Sequence, residues 1–195
     1  MNNYELIKTL SSQSIEPRQF LRYSFGIDKL APEEALEEET SFGYCTKCVR
    51  LLSKILGLQR KTVREWGHNP NFEGMPQHAR TTYNYALMAL SREELNKIEA
   101  SDSQAPAITA AQFIEEVFLK ELSPSDRLKI VTSTKFRGQC FAILSEVLKV
   151  SKSAIYEWGR DIELKNMPKH YQHTLAYALK AYKKQQATGA KQNAA

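Results

Sequence analysis

Between Cys48 and Trp66 the apolar residues keep a helical rhythm that breaks once. Leu52, Ile55 and Leu56 form a stripe with the small Ser53 set into it, which predicts a helix over 44–56. Gly57-Leu58 interrupts the run, and a second short helix over 60–66 would turn Val63 and Trp66 inward. The rhythm returns at 140–158, with Leu144, Ser145, Val147 and Leu148, then Val150, Ile155 and Trp158. Aligned without a gap at an offset of 92, Cys48–Leu90 and Cys140–Tyr182 are identical at 15 of 43 positions, Met75-Pro76 and Met167-Pro168 included. An offset held that long predicts a duplicated module.

The spacing inside the module has a physical reading. A small residue in the first helix lets the second cross it closely, a residue tolerating positive φ makes the turn, and a β-branched residue plus Trp seal the pair. That is the helix-turn-helix pattern, with Ser53, Val63 and Trp66 as its core in one copy and Ser145, Ile155 and Trp158 in the other.

The segment VSKSAIYEWG, followed by Met-Pro and a further amphipathic helix, resembles the phage Cro/repressor (Xre-like) helix-turn-helix DNA-binding family. The resemblance covers about 40 residues of each copy, less than half of the repeat. Lys149 stands where the family's turn glycine is usual, and a long helical preamble precedes each motif. In that family's docking, the turn and the first residues of the second helix face base edges, and residues one turn later reach base or phosphate. The resemblance therefore implies DNA contact by Gln59, Arg60, Lys61 and Arg64 in copy one, and by Ser151, Lys152, Ser153 and Tyr156 in copy two. Gln pairs with adenine and Arg with guanine in bidentate fashion, Ser is adaptable, and Tyr packs on a thymine methyl or a sugar.

Around the motifs the chain reads as all-α, two tandem repeats of about five helices each. Pro17 and Pro32 open helices that run to Phe25 and Thr40, and Leu122-Ser-Pro124 repeats the second start. Met-Pro opens a last helix in each copy, over 77–90 and from 169 to about 184. The β-branched run Ile130–Thr134 is matched by EEETS in the other copy, which argues against a strand. The expected division is a first domain at 1–95 with a loose polar lead to Ser14, a linker at 96–106, a second domain at 107–186 and a disordered tail at 187–195.

Charge sharpens this picture. Residues 43–85 carry seven basic side chains against two acidic ones, and 135–195 carry eleven against four. Residues 1–42 carry four against eight, and 86–134 carry five against eight. Positive charge thus falls on the two motif segments, where a phosphate backbone would attract it. Glu33, Glu34, Glu37, Glu38 and Glu39 read as one solvated helix face.

Candidate chemistry beyond this is sparse. Neither a nucleophile–His–acid order nor a P-loop or GxGxxG appears, so no enzyme and no cofactor is expected. Cys45 and Cys48 form a CxxC without a second ligand pair, which favours core packing for Cys48 and an idle thiol for Cys45 over a metal site. His78 and His170 are equivalents on the first turn of the last helix, placed either for phosphate contact or simply in solvent.

With no apolar run near ~18 residues and no basic-then-apolar lead, a cytoplasmic, nucleoid-associated protein is expected, with no membrane contact. The expected function is sequence-specific binding of double-stranded DNA, in the manner of a transcriptional regulator. The alternatives are a protein-interaction module that uses the acidic preamble, toward itself or another protein, and a DNA-organising or recombination accessory factor.

Overall fold

The computed structural model describes residues 3–12, 14–102, 104–133 and 135–192, and among them every regular element is a helix. They run α1 Asn3–Ser12, α2 Pro17–Phe25, α3 Pro32–Thr40, α4 Tyr44–Leu56, α5 Arg60–Arg64, α6 Gln77–Ala89, α7 Arg92–Ala100, α8 Ala110–Ile114, α9 Pro124–Val131, α10 Phe136–Leu148, α11 Lys152–Trp158 and α12 Lys169–Gln192. A single 3-10 turn, Ile27–Lys29, follows α2, and a π-helical turn, Glu115–Leu119, continues α8.

Local sequence accounts for most of the boundaries. Pro occupies the first turn of α2, α3 and α9, where its missing N–H costs nothing. Ser91 caps α7 by accepting from Glu94 N at 3.2 Å, and Glu94 Oε2 accepts in return from Ser91 N at 2.7 Å. Thr109 and Gln112 close α8 in the same way. Gly26, in the left-handed region at φ 80°, ends α2.

The chain forms two compact units, one of residues 14–105 and one that joins residues 106–192 to the N-terminal helix. In the first unit, Phe20 stacks on Tyr83 with ring centres 5.0 Å apart, over a core that includes Leu21, Leu52, Ile55 and Leu95. In the second, Phe113, Phe141, Leu144 and Leu175 take comparable places.

The division departs from the expected one in three respects. The N-terminal lead is not loose: α1 buries Leu6, Ile7 and Leu10, and it packs on α10 and α12 in the unit made by the far end of the chain. The expected linker at 96–106 begins inside α7, which packs on α4 and α2. The expected tail is helical as far as Gln192, while residues 193–195 lie outside the described residues.

The first and last of these departures have one cause. In the first unit α6 stops at Leu90, which is extended at φ −108°, and α7 folds back with Leu95 fully buried. At the offset of 92, the capping Ser91 becomes Lys183 and the anchor Leu95 becomes Ala187. With no cap to stop it and no apolar anchor to seat a returning helix, α12 runs straight on.

α1 supplies the missing helix. Glu5-Leu6-Ile7-Lys8 reads like Glu94-Leu95-Asn96-Lys97 of α7. Both helices bring their C-terminal ends to the same place on the long helix beneath them. Lys54 of α4 donates to Glu99 O at 2.8 Å and to Ser101 O, and Glu146 of α10, 92 residues on, accepts from Ser11 Oγ at 2.6 Å. Each unit therefore closes over its long helix, α4 or α10, with a short E-L-x-K helix.

Candidate nucleic-acid interface

Two helix pairs, α4–α5 and α10–α11, present short helices on a common backbone plan. The turn residue is left-handed in both, Gly57 at φ 64°, ψ 30° and Lys149 at φ 53°, ψ 43°. Leu58 N donates to Ser53 O at 3.0 Å and Val150 N to Ser145 O at 3.3 Å. Lys149 bears the steric cost of this conformation, which glycine escapes. The small residues behave differently: Ser145 Oγ donates across the turn to Val150 O at 2.6 Å, whereas Ser53 Oγ bonds back to Arg50 O at 2.9 Å.

Val63 and Ile155 are fully buried beneath the short helices. Trp66 and Trp158 are half-buried rather than sealed inside, and Trp158 rests on Tyr171 with ring centres 4.8 Å apart.

The loops that follow also match. Gly74 N donates to Trp66 O at 2.9 Å, as Asn166 N does to Trp158 O at 3.0 Å. Phe72 and Leu164 are buried at φ 45° and 44°, a region that bulky side chains seldom enter. Their surroundings hold them there, because Met75 N and Met167 N each donate back to them at 2.8 Å.

The eight residues singled out by their position in the motif lie on the presented sides of α5 and α11, and the two sides differ in what they leave free. Gln59, Arg60, Lys61 and Arg64 are all exposed, and none of the three cations has an ion-pair partner among the described residues. On α11, Lys152 and Ser153 are exposed, but Ser151 Oγ is taken up in capping, accepting from Ala154 N at 3.2 Å. The ring of Tyr156 meets Phe141 edge-on at 4.8 Å, leaving the residue 48% exposed.

Not every cation of the basic segments is available. Lys54 is spent on the end of α7, Arg50 pairs with Glu99 at 2.9 Å, and Arg80 pairs with Glu16 at 2.9 Å. Lys149 pairs with Glu146 at 2.7 Å. Within residues 43–85 the cations with no ion pair or side-chain hydrogen bond among the described residues thus narrow to Lys47, Arg60, Lys61 and Arg64.

The acidic preamble holds a group that the sequence pattern misassigned. Glu39 is not on a solvated face. Its carboxylate is buried, with Arg22 Nε at 2.7 Å from Oε1 and Arg18 closing the other side. Hydrogen bonds from Arg22 and then Arg18 hold its carboxyl down to about 2. The signal available beforehand was the i, i+4 spacing of Arg18 and Arg22, which puts both guanidinium groups on one face of α2.

Burial pushes the Cys48 thiol up to about 12, and burial lowers His78 from its ordinary value, which keeps the imidazole neutral near pH 7. Cys45 Sγ lies 3.6 Å from His68 O. Among the described residues no group of three or more His, Cys, Asp or Glu could hold a metal ion, and no helix is long and apolar enough to cross a membrane. No family model, no curated protein sequence and no solved structure matches the chain.

Proposed function

We propose that α4–α5 and α10–α11 are two helix-turn-helix readers of one duplicated module, and that the chain binds double-stranded DNA through α5 and α11. The observation that carries this reading is the presented face of α5: three cations in five residues, all exposed and without an ion pair among the described residues, on a helix fixed from behind by the buried Val63. Unpaired cations held on a short, rigid helix suit phosphate contact and bidentate pairing with guanine. The matching turns and loops support a shared scaffold beneath two different surfaces.

Copy one is the stronger reader. On α11 the Ser151 hydroxyl serves the helix cap and the Tyr156 ring leans on Phe141, which leaves Lys152 and Ser153 to face DNA. One chain then offers two unlike surfaces to two unlike half-sites, and occupation of such a site within a promoter would regulate transcription by exclusion.

Fluorescence anisotropy with labelled duplexes selected from a random pool tests this. Affinity should fall steeply with salt as counterions are released, and Arg60→Ala or Arg64→Ala should each cost about 1–3 kcal/mol. Lys152→Ala should cost less. Salt-independent binding, or parental affinity in the Arg60/Arg64 double variant, defeats the reading.

A further inference from the structure

A cavity of about 510 Å³ opens in the unit of residues 106–192, and its lining differs in kind from the same place in the other unit. Phe118, Ile130, Phe136 and Ile143 supply most of its wall, with Ala142 and Cys140 between them. Gln139 is the one lining residue with a carboxamide, and none is charged.

At the offset of 92, the counterparts of Ile130, Gln139 and Ala142 are Glu38, Lys47 and Arg50. Three charged side chains at this place have thus been exchanged for uncharged ones along the cavity wall. α8 matches α2 one residue later, as Phe113 matches Phe20, so the triad Arg18, Arg22 and Glu39, which ties α3 down in the first unit, becomes Ala111, Glu115 and Val131.

Two backbone features concern the same spot. The π-helical turn Glu115–Leu119 carries Phe118, and such turns recur where a helix must re-aim a side chain at a functional site. Arg127 of α9 is tied to Glu115 of that turn at 2.6 Å. α9 itself buries no residue, and Leu128, Ile130 and Val131 are 66%, 37% and 44% exposed. Its counterpart α3 is docked through the buried Ala35 and Glu39. With Glu39 replaced by Val131 and the Arg127–Glu115 pair as its tie, α9 stands over an apolar cavity rather than sealing it.

We propose that this cavity is a binding site for a neutral, largely apolar small molecule, covered by α9. The volume falls within the roughly 300–1,000 Å³ of small-molecule pockets. The uncharged lining fits a neutral occupant, since a charged one would lose its hydration with no counter-charge in return. Gln139 offers one hydrogen bond to orient it. Burial pushes the Cys140 thiol up to about 11, so it lines the site as a neutral group. Phe136, Cys140 and Ile143 belong to α10, the helix that backs α11, so an occupant would bear directly on the second reader. The site itself stands whether or not α11 reads DNA.

The test uses the full chain and the neutral fluorescent probe N-phenyl-1-naphthylamine. Saturable binding of one probe per chain is expected, with affinity lowered at least about tenfold by Ile130→Glu and by Ala142→Arg, residues the other unit carries at those places. Each variant is accepted only if its Trp158 unfolding transition persists, and Leu128→Glu, on the exposed side of α9, is the control that should bind like the parent. Three results overturn the proposal: no saturable binding, binding unchanged in both lining variants, or a chain whose α9 face is covered by a second copy that excludes the probe. Each is read from probe fluorescence and molecular mass, without DNA.

Discussion

Leu10→Ala should destabilise the part of the protein farthest from it in sequence. Leu10 is 4% exposed and sits with Leu6 and Ile7 on the buried side of α1, against α10 and α12. Truncating a buried leucine costs about 2–5 kcal/mol. The lower end applies here, because a ten-residue helix can detach and so limit the loss to the free energy of its own docking. At an m-value of roughly 1 kcal/mol/M for a unit of this size, about 2 kcal/mol moves the urea midpoint by about 2 M.

The two tryptophans make the assay specific, since Trp158 lies in the unit that holds α1 and Trp66 in the other. In a Trp66→Phe chain the Trp158 transition should shift by that amount. In a Trp158→Phe chain the Trp66 transition should stay where it was, although Leu10 is only a few residues from α2. A shift at Trp66 instead, or no shift at either, refutes the assignment of α1. If both tryptophans report a single joint transition, hydrogen exchange decides: protection should fall in α10 and α12 and hold in α2 and α4, and the reverse pattern counts against the reasoning.

The buried carboxylate gives a pH signature. Glu39 has its folded pKa depressed, so its contribution is complete above the ordinary carboxylate range and is lost as pH falls through about 2. The Trp66 unit should lose roughly 1–2 kcal/mol between pH 5 and pH 2, a figure discounted for guanidinium groups that are more than a third open to water, and Glu39→Gln should remove that slope in urea titrations. The two turns should respond in opposite directions. Gly57→Ala should cost about 1 kcal/mol in the Trp66 transition, while Lys149→Gly should gain up to about 1 kcal/mol in the Trp158 transition, less the small worth of the Lys149–Glu146 pair. A Lys149→Gly chain less stable than its parent would show that the pair outweighs the backbone term.

Much of the helical layout was legible in the sequence because it is locally determined. Pro17, Pro32 and Gly26 punctuate the chain through their own backbone preferences, and the bounds expected for α2, α3 and α4 coincide with those found. The apolar rhythm likewise placed Val63 and Ile155 in the core, since periodicity alone says which side of a helix is apolar. Three matters were settled only by the tertiary structure. Whether Glu39 meets water or Arg22 depends on how α3 lies against α2, and no single-helix pattern contains that angle. Whether α1 docks depends on a vacancy about 175 residues away, left where Ser91 and Leu95 have become Lys183 and Ala187. Whether Ser151 and Tyr156 are free for a ligand depends on bonds to Ala154 and Phe141 that spacing does not disclose. Local preference is written residue by residue, whereas a burial partner is chosen by the whole chain, so the first can be read in advance and the second cannot.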